Sequence, residues 1–510
     1  MLVALGAIAL TASYPPFPLP ILSFFAITPA VLLMRQGVLD ADPRAAFRWG
    51  WWYGLITNAL VLYWMVVALW HFTPFSALGY LATIAILGLL TGAMFWFVVR
   101  TQLAAPAVPL WVVVPVAWTT LEWLIGHLGD VRFPWLGLGT SLADAPLLVQ
   151  WADIAGARGV TLWLAWCNVM IVEAATDVRG ARFAGRRLAA VVGTVVLALG
   201  YGAWRMKTLP IRDVGVIGMV QPNEGFSEKF AHADTAMSTL LSLSRELLSR
   251  PPRPQLLVWP EAAVPGYFLD HPQWDAAISA LVRENHIPLL TGGLNAEPEG
   301  GGGGGTPRTY RIFNAAFFFD STGDRTRYPI YAKHYLVPVT ERVPFVPVRL
   351  FRAIPGLARW SGGFRPGKEW PVYASPVGKF GVVICYESAF EDATRIYRAL
   401  GADFFINVTN DAWFGNTSAP AQHASHLVLR SIETRMGVAR AANSGITEFV
   451  DPLGRAYAAT QLNEAATVAG VLRTSDVIPL YVRLGDWVGT LVVVLTLGGA
   501  ALLLKRRFRP

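Results

Sequence analysis

Charge and cysteine are scarce in this sequence. Only 15% of its 510 residues are charged, against 54% hydrophobic residues and a mean hydropathy of +0.42. That balance excludes an ordinary soluble protein of this length and makes the chain a membrane protein. Two cysteines exclude a disulfide framework: Cys167 sits inside an apolar run and Cys385 in a mixed stretch, so both read as free thiols. The eight histidines form no metal-spaced cluster, and His423 and His426, three apart on an expected helix, read as structural. No glycine loop that would cradle a phosphate, no nucleic-acid motif and no internal repeat is found. Basic residues outnumber acidic ones, 42 to 34, but the arginines cluster in short loops beside apolar runs, where orientation in a bilayer accounts for them.

What the chain does have is long apolar runs, crowded into the first 205 residues and the last 25 or so. A hydrocarbon core about 30 Å thick takes roughly 20 apolar residues per helix. Spans are expected at 2–12, 18–34, 50–70, 75–99, 108–125, 160–175, 188–204 and 487–504. The first is short enough for the apolar region of a signal peptide, but no small-residue cleavage site follows it, so it reads as a membrane helix. With eight spans, Arg35, Arg44 and Arg48, then Arg100, then Arg179, Arg182, Arg186 and Arg187, and finally Lys505, Arg506, Arg507 and Arg509 all fall on one side, the cytoplasmic one. Three regions result: membrane helices over 1–205, an extracytoplasmic domain over 206–483, and a last helix with a basic tail over 484–510. The outer loops carry Tyr63-Trp64, Trp70-His71-Phe72 and Phe133-Pro134-Trp135, which read as an interfacial aromatic belt or, taken as a set, as the lining of a lipid entry. Glu122 is an ionisable group inside a span, a costly placement that either serves function or reaches water at the helix end. His127, just beyond it, reads as structural.

Residues 206–483 alternate short β-rich runs with helical stretches. Strands are expected at 214–220, 255–259, 287–290, 314–319, 381–385 and 403–407, and helices at 231–249, 274–285 and 422–442. Such alternation implies a layered α/β domain. The six-glycine run within 299–306 cannot pack and reads as a flexible surface loop.

Three places in this domain end an apolar strand on a reactive side chain. In Leu256-Leu257-Val258-Trp259-Pro260-Glu261 the proline turns the chain and presents Glu261; Tyr331-Ala332-Lys333 presents Lys333; Gly381-Val382-Val383-Ile384-Cys385 presents Cys385. Parallel strands bring their C-terminal ends to one edge, so the three can converge. A thiol needs a base to become a thiolate and a cation to favour that charge. Attack on an acyl carbonyl then builds an oxyanion, for which Lys333 and a backbone N–H near Tyr386 are candidate donors. Cys385 taken alone reads equally well as a small core residue, and Glu261 or Lys333 alone as a solvated surface charge; the flanking prolines and apolar runs favour the reactive reading.

Trp259-Pro260-Glu261, Lys333 with His334-Tyr335-Leu336-Val337-Pro338, and Cys385-Tyr386-Glu387 resemble the three signatures of the nitrilase superfamily, and Asn410-Asp411-Ala412-Trp413-Phe414-Gly415 extends the likeness. Together with the membrane spans and Phe133-Pro134-Trp135, nearly the whole chain resembles the bacterial apolipoprotein N-acyltransferases. The resemblance implies an α-β-β-α sandwich inserted in a polytopic helical membrane protein of about eight spans. It implies Glu261 as general base, Lys333 as oxyanion-stabilising cation and Cys385 as nucleophile, supported by Glu341, Tyr386, Glu387, Phe230 and Trp413. It also implies a ping-pong reaction without a cofactor. A phospholipid such as phosphatidylethanolamine gives its sn-1 chain to the cysteine as a thioester. The α-amino group of a diacylglyceryl-cysteine on an apolipoprotein then takes it as an amide, in the bacterial inner membrane on the periplasmic side, by a monomer. Phe230 stands where the family often has tryptophan, and Thr340 where glycine is usual before Glu341. A membrane-tethered amidase and a non-catalytic lipoprotein-binding scaffold are the rival readings.

Overall fold

The computed structural model describes residues 1–17, 19–70, 76–225, 227–268, 270–300, 309–342, 344–345 and 363–507. They form two compact units, 1–208 with 479–510, and 209–478.

Among the described residues of the first unit six helices are long and apolar enough to cross a membrane: Pro20–Leu39, Ala77–Ala104, Leu110–His127, Ala152–Ala175, Ala181–Thr208 and Trp487–Lys505. A pair bent by 58°, Pro43–Val61 and Trp64–Trp70, makes a seventh if counted as one span. The remaining expected span, Leu2–Ala12, is an apolar helix of 11 residues, about 16 Å long at 1.5 Å per residue and so about half the hydrocarbon thickness. An even count of spans therefore hangs on that short helix. Small residues bring two helices together: Gly50 and Gly54 lie so close to Gly92 and Gly88 that an added Cβ would come within 3.0 Å of the facing Cα. Trp64 and Trp135 are 5% and 3% exposed and pack on one another at 4.8 Å, so these two aromatics are core, not belt. His71 and Phe72 of the same expected cluster, and the glycines at 301–305, lie outside the described residues.

The described residues of the second unit form two six-stranded sheets. In chain order the strands are β1 (Arg212–Gln221), β2 (Leu256–Val258), β3 (Leu289–Gly300), β4 (Thr309–Phe319), β5 (Tyr331–Ala332), β6 (Tyr373–Ser375), β7 (Gly378–Ile384), β8 (Phe404–Thr409), β9 (Gly437–Ala442), β10 (Glu448–Val450), β11 (Ala456–Tyr457) and β12 (Ala466–Thr474). One sheet runs β12-β1-β2-β3-β4-β5 and the other β11-β10-β9-β8-β7-β6. Both have a parallel centre, β1-β2-β3 and β7-β8-β9. Helices Ala233–Leu248 and Pro272–Asn285 present apolar stripes, Met237, Leu240 and Leu247 on one and Trp274, Ile278 and Leu281 on the other, to a core shared with Trp259 and Phe317.

The helix expected over 422–442 is shorter. Helix Ala419–Thr434 stops at Arg435, which is left-handed at φ 54°, and Gly437–Ala442 is the central strand β9, buried throughout. Three alanines and one β-branched residue give that segment helical propensity, and tertiary burial overrides it. The small residues suit a close sheet-to-sheet approach: a side chain at Gly437 would collide with the Arg473 carbonyl on β12.

Candidate active site

Three strand ends position the reactive groups. After β2, Trp259 is fully buried and its indole N–H donates to Ser244 Oγ at 2.9 Å, which anchors the turn into Pro260-Glu261. Lys333 follows β5 and its backbone N–H donates to the Asn314 carbonyl on β4 at 2.9 Å. Because β4 reverses relative to β3, and β5 relative to β4, β5 ends on the same edge as β2. Cys385 follows β7 at φ 51°, a left-handed conformation that costs a non-glycine residue about 1 kcal/mol or more, and it opens the tight turn Cys385–Ala389. The two sheet edges meet where the N–H of Asn410, just past β8, donates to Glu261 Oε2 at 2.9 Å.

The cluster is nearly dry: Lys333, Glu261 and Cys385 are 1%, 6% and 8% exposed. Lys333 Nζ donates to Glu341 Oε1 at 3.0 Å and to Glu261 Oε1 at 3.4 Å. Asn314 Nδ2 donates to the same two oxygens at 2.8 and 2.7 Å, so one ammonium and one amide bridge both carboxylates. Burial pushes the Lys333 ammonium down, but Glu341 and Glu261 outweigh it and hold its pKa above the usual lysine range. It is a fixed cation. Burial pushes the Cys385 thiol up and the charge of Glu261 adds to this; Lys333 and a hydrogen bond with Thr409 pull the other way without prevailing. Cys385 therefore rests as a thiol, and a thiol needs a base to become a thiolate.

Of the three carboxylates, Glu387 is fuller than Glu261 and Glu341. A carboxylate accepts about four hydrogen bonds. Glu387 takes all of them, from Tyr331 Oη at 2.6 Å, Ile384 N at 2.7 Å, His334 N at 2.7 Å and Tyr335 N at 3.2 Å, and so ties the Cys385 turn to the Lys333 segment. Glu261 receives Asn314, Lys333 and Asn410 among the described residues, two on Oε1 and one on Oε2, which leaves Oε2 with room for a proton. Glu341 takes Lys333 and Asn314 on Oε1 and the Val337 N–H on Oε2 at 2.7 Å. Of the three, Glu261 is the one whose charge acts on Cys385.

Residues 214–479 match the carbon-nitrogen hydrolase family, and residues 6–170 match the apolipoprotein N-acyltransferase N-terminal domain. The apolipoprotein N-acyltransferases of Geobacter metallireducens and Brucella melitensis biotype 1 are each 30% identical to this chain. The first match covers 95% of this chain and 91% of that protein, the second 99% and 95%. The chain belongs to the apolipoprotein N-acyltransferase family. A solved amidase mutant from Nesterenkonia sp. AN1 aligns at 17% identity and a TM-score of 0.39, over 56% of this chain and 99% of that one.

Within this acyltransferase fold, the other expected residues sit as follows. Tyr386 is 3% exposed and meets Phe390 edge to face at 5.1 Å. Phe230 is exposed on the short helix Glu228–Ala231, and Trp413 is partly buried in the turn Asp411–Phe414. His423 Nδ1 lies 2.9 Å from Asp411 Oδ1. Reading the sequence missed Asn314, although a lone amide inside Phe313-Asn314-Ala315-Ala316-Phe317 is itself a signal, because a buried amide needs partners. It also missed Tyr331, whose hydroxyl helps to fill Glu387.

Proposed function

We propose that this acyltransferase moves the sn-1 acyl chain of a membrane phospholipid onto Cys385, and from there onto the α-amino group of a diacylglyceryl-cysteine at the N-terminus of an apolipoprotein. The observation that carries the reading is a buried thiol beside a fixed ammonium and a carboxylate with an open lone pair, in a chain that belongs to this family.

Glu261 takes the thiol proton as Cys385 Sγ attacks the ester carbonyl, forming the S–C bond and a tetrahedral oxyanion. Lys333 spends two of its three N–H donors on Glu341 and Glu261 among the described residues, and the third serves the oxyanion; one such donor is worth roughly 3 kcal/mol of barrier. Collapse breaks the C–O bond, Glu261 returns the proton to the leaving alcohol, and the lysophospholipid departs. The lipoprotein amine then attacks the thioester, Glu261 takes its proton, the C–S bond breaks, and the proton returns to the cysteine sulfur. Glu341 and Asn314 hold the base and the cation in register, and Glu387 holds the nucleophile turn against the Lys333 segment. Lipid-anchored donor and acceptor explain the membrane helices, and we assign the reaction to the periplasmic face of the bacterial inner membrane.

The test uses purified protein in detergent with phosphatidylethanolamine labelled in its sn-1 chain and no acceptor. A hydroxylamine-labile acyl adduct on the Cys385 peptide, absent in Cys385→Ala, is expected. No adduct from any of several phospholipids would remove the acyl-donor half of the proposal.

A further inference from the structure

Lys229 has no part in the chemistry above, yet it is 3% exposed. It lies on Glu228–Ala231, one residue before Phe230, and its ammonium stands 5.3 Å from that ring's centroid. The ammonium donates to the carbonyl of Ala262 at 3.0 Å and interacts with the carboxylates of Glu261 and Glu224. Ala262 directly follows Glu261 and is left-handed, at φ 48°. An alanine does not hold that conformation by itself, at about 1 kcal/mol or more, so the turn that aims Glu261 needs an outside hold. A neutral donor would satisfy the carbonyl; a buried ammonium with one hydrogen bond among the described residues is costly unless its charge is used.

We propose that Lys229 is a positioning residue for Glu261: its ammonium clamps the Ala262 carbonyl and places a second cation beside the base. The proposal rests on the reading of Glu261 as the general base. The net charge of Glu261, Glu341 and Lys333 together is −1, and Lys229 offsets it. The charged and titratable groups facing Lys229 are Glu261 and Glu224, and those facing Glu261 are Lys229, Lys333 and Cys385, with Glu341 joined through Lys333 and Asn314. Burial pushes Lys229 down to about 8 against the pull of those carboxylates, so its charge is present at neutral pH and lost in mild alkali. The same lysine ties the Phe230 segment to the turn of the base.

The experiment measures the rate of labelled adduct formation on Cys385 against pH, in detergent, for the full chain and for Lys229→Met and Lys229→Gln, with thermal melts alongside. Methionine removes both donor and charge, while glutamine restores a donor without the charge. Lys229→Met is expected to slow the adduct about tenfold and to move the acid limb of the profile up by about half to one pH unit, because Glu261 loses a nearby cation. Lys229→Gln is expected to recover part of the rate and keep the shifted limb. Wild-type rate and profile in both variants would overturn the proposal, and so would slowed variants whose acid limb stays in place, since that is a scaffold effect alone. Absence of the adduct in the unsubstituted protein would instead strike the reading of Cys385 and Glu261.

Discussion

Two buried ion clusters lie in the same α/β unit and are built on opposite plans. In one, Arg440 on β9 spends its guanidinium on Asn407 Oδ1 at 2.6 Å, Asp411 Oδ2 at 2.7 Å and the Ile446 carbonyl at 3.0 Å, while His423 takes the other oxygen of Asp411. Arg440, Asn407 and His423 have no exposed surface. The planar fork meets the one charge with a short bond and spends further donors on a neutral amide oxygen and a backbone carbonyl. In the other, a single lysine serves two carboxylates at 3.0 and 3.4 Å, keeps a donor in hand among the described residues, and leaves Glu261 Oε2 with an open lone pair there. The arginine cluster holds sheet ends together; the lysine cluster offers the open donor and acceptor that the proposed reaction uses.

The largest effect should come from breaking the arginine cluster. Arg440→Met strands Asp411 in a dry site and should cost about 3–5 kcal/mol, a third or more of the stability of an ordinary domain, read as a large drop in the melting temperature. Glu261→Gln should do the reverse. The amide oxygen keeps an acceptor for Asn314 and Lys333, but its NH2 faces the Asn410 N–H and leaves that donor unpaired, a cost to the melt of about 1–3 kcal/mol, while adduct formation on Cys385 falls by about 10²–10⁴-fold for want of the proposed base. The contrast fails if Glu261→Gln melts like Arg440→Met. A pH series sharpens it further. Burial would raise the pKa of Asp411, but Arg440 and His423 outweigh it and hold it at about 2, against an ordinary 3.8. A depressed carboxylate contributes stability that is present above 3.8 and lost as pH falls toward 2. Melting temperatures of the unsubstituted protein should therefore slope downward over that window more steeply than those of Asp411→Asn.

Why the lysine cluster was legible in the sequence and the arginine cluster was not has a physical basis. Glu261, Lys333 and Cys385 each close an apolar run, and Pro260 marks the exit of β2, so local pattern alone places them at strand ends. Arg440 sits inside a segment whose alanines read as helix, and only burial between β8 and β10 makes it a strand. Asn314 lies mid-strand, where nothing local reveals that its amide reaches residues 53 and 27 positions away. Lys229 looks like a surface charge on a short amphipathic turn until Ala262 is placed over it. Six of the expected spans were legible by length, whereas Leu2–Ala12 is too short to cross by itself, and Pro43–Val61 and Trp64–Trp70 bend within what reads as one run.

Glu122 carries the comparison into the helical unit. Its Oε1 accepts the Leu138 N–H at 2.7 Å and the Trp118 indole N–H at 3.1 Å, and its Oε2 accepts the Thr161 hydroxyl at 2.7 Å. The donors are neutral and come from two helices and the turn Leu138–Leu142, so the carboxylate pins that turn to both. An ionisable group in a span is thereby explained by the backbone and side-chain N–H groups it satisfies. Glutamine can serve the same three partners, since its oxygen accepts from Leu138 and Trp118 and a hydroxyl can accept from its amide. Glu122→Gln should leave the melt within about 1 kcal/mol and the Cys385 adduct rate within about twofold. Glu122→Leu strands all three donors and should lower the melt by an amount corresponding to about 1–3 kcal/mol or more. If Glu122→Gln instead kept the melt and lost the adduct, the carboxylate would be acting through its charge, and the helical unit would contribute to the chemistry as well as to its support.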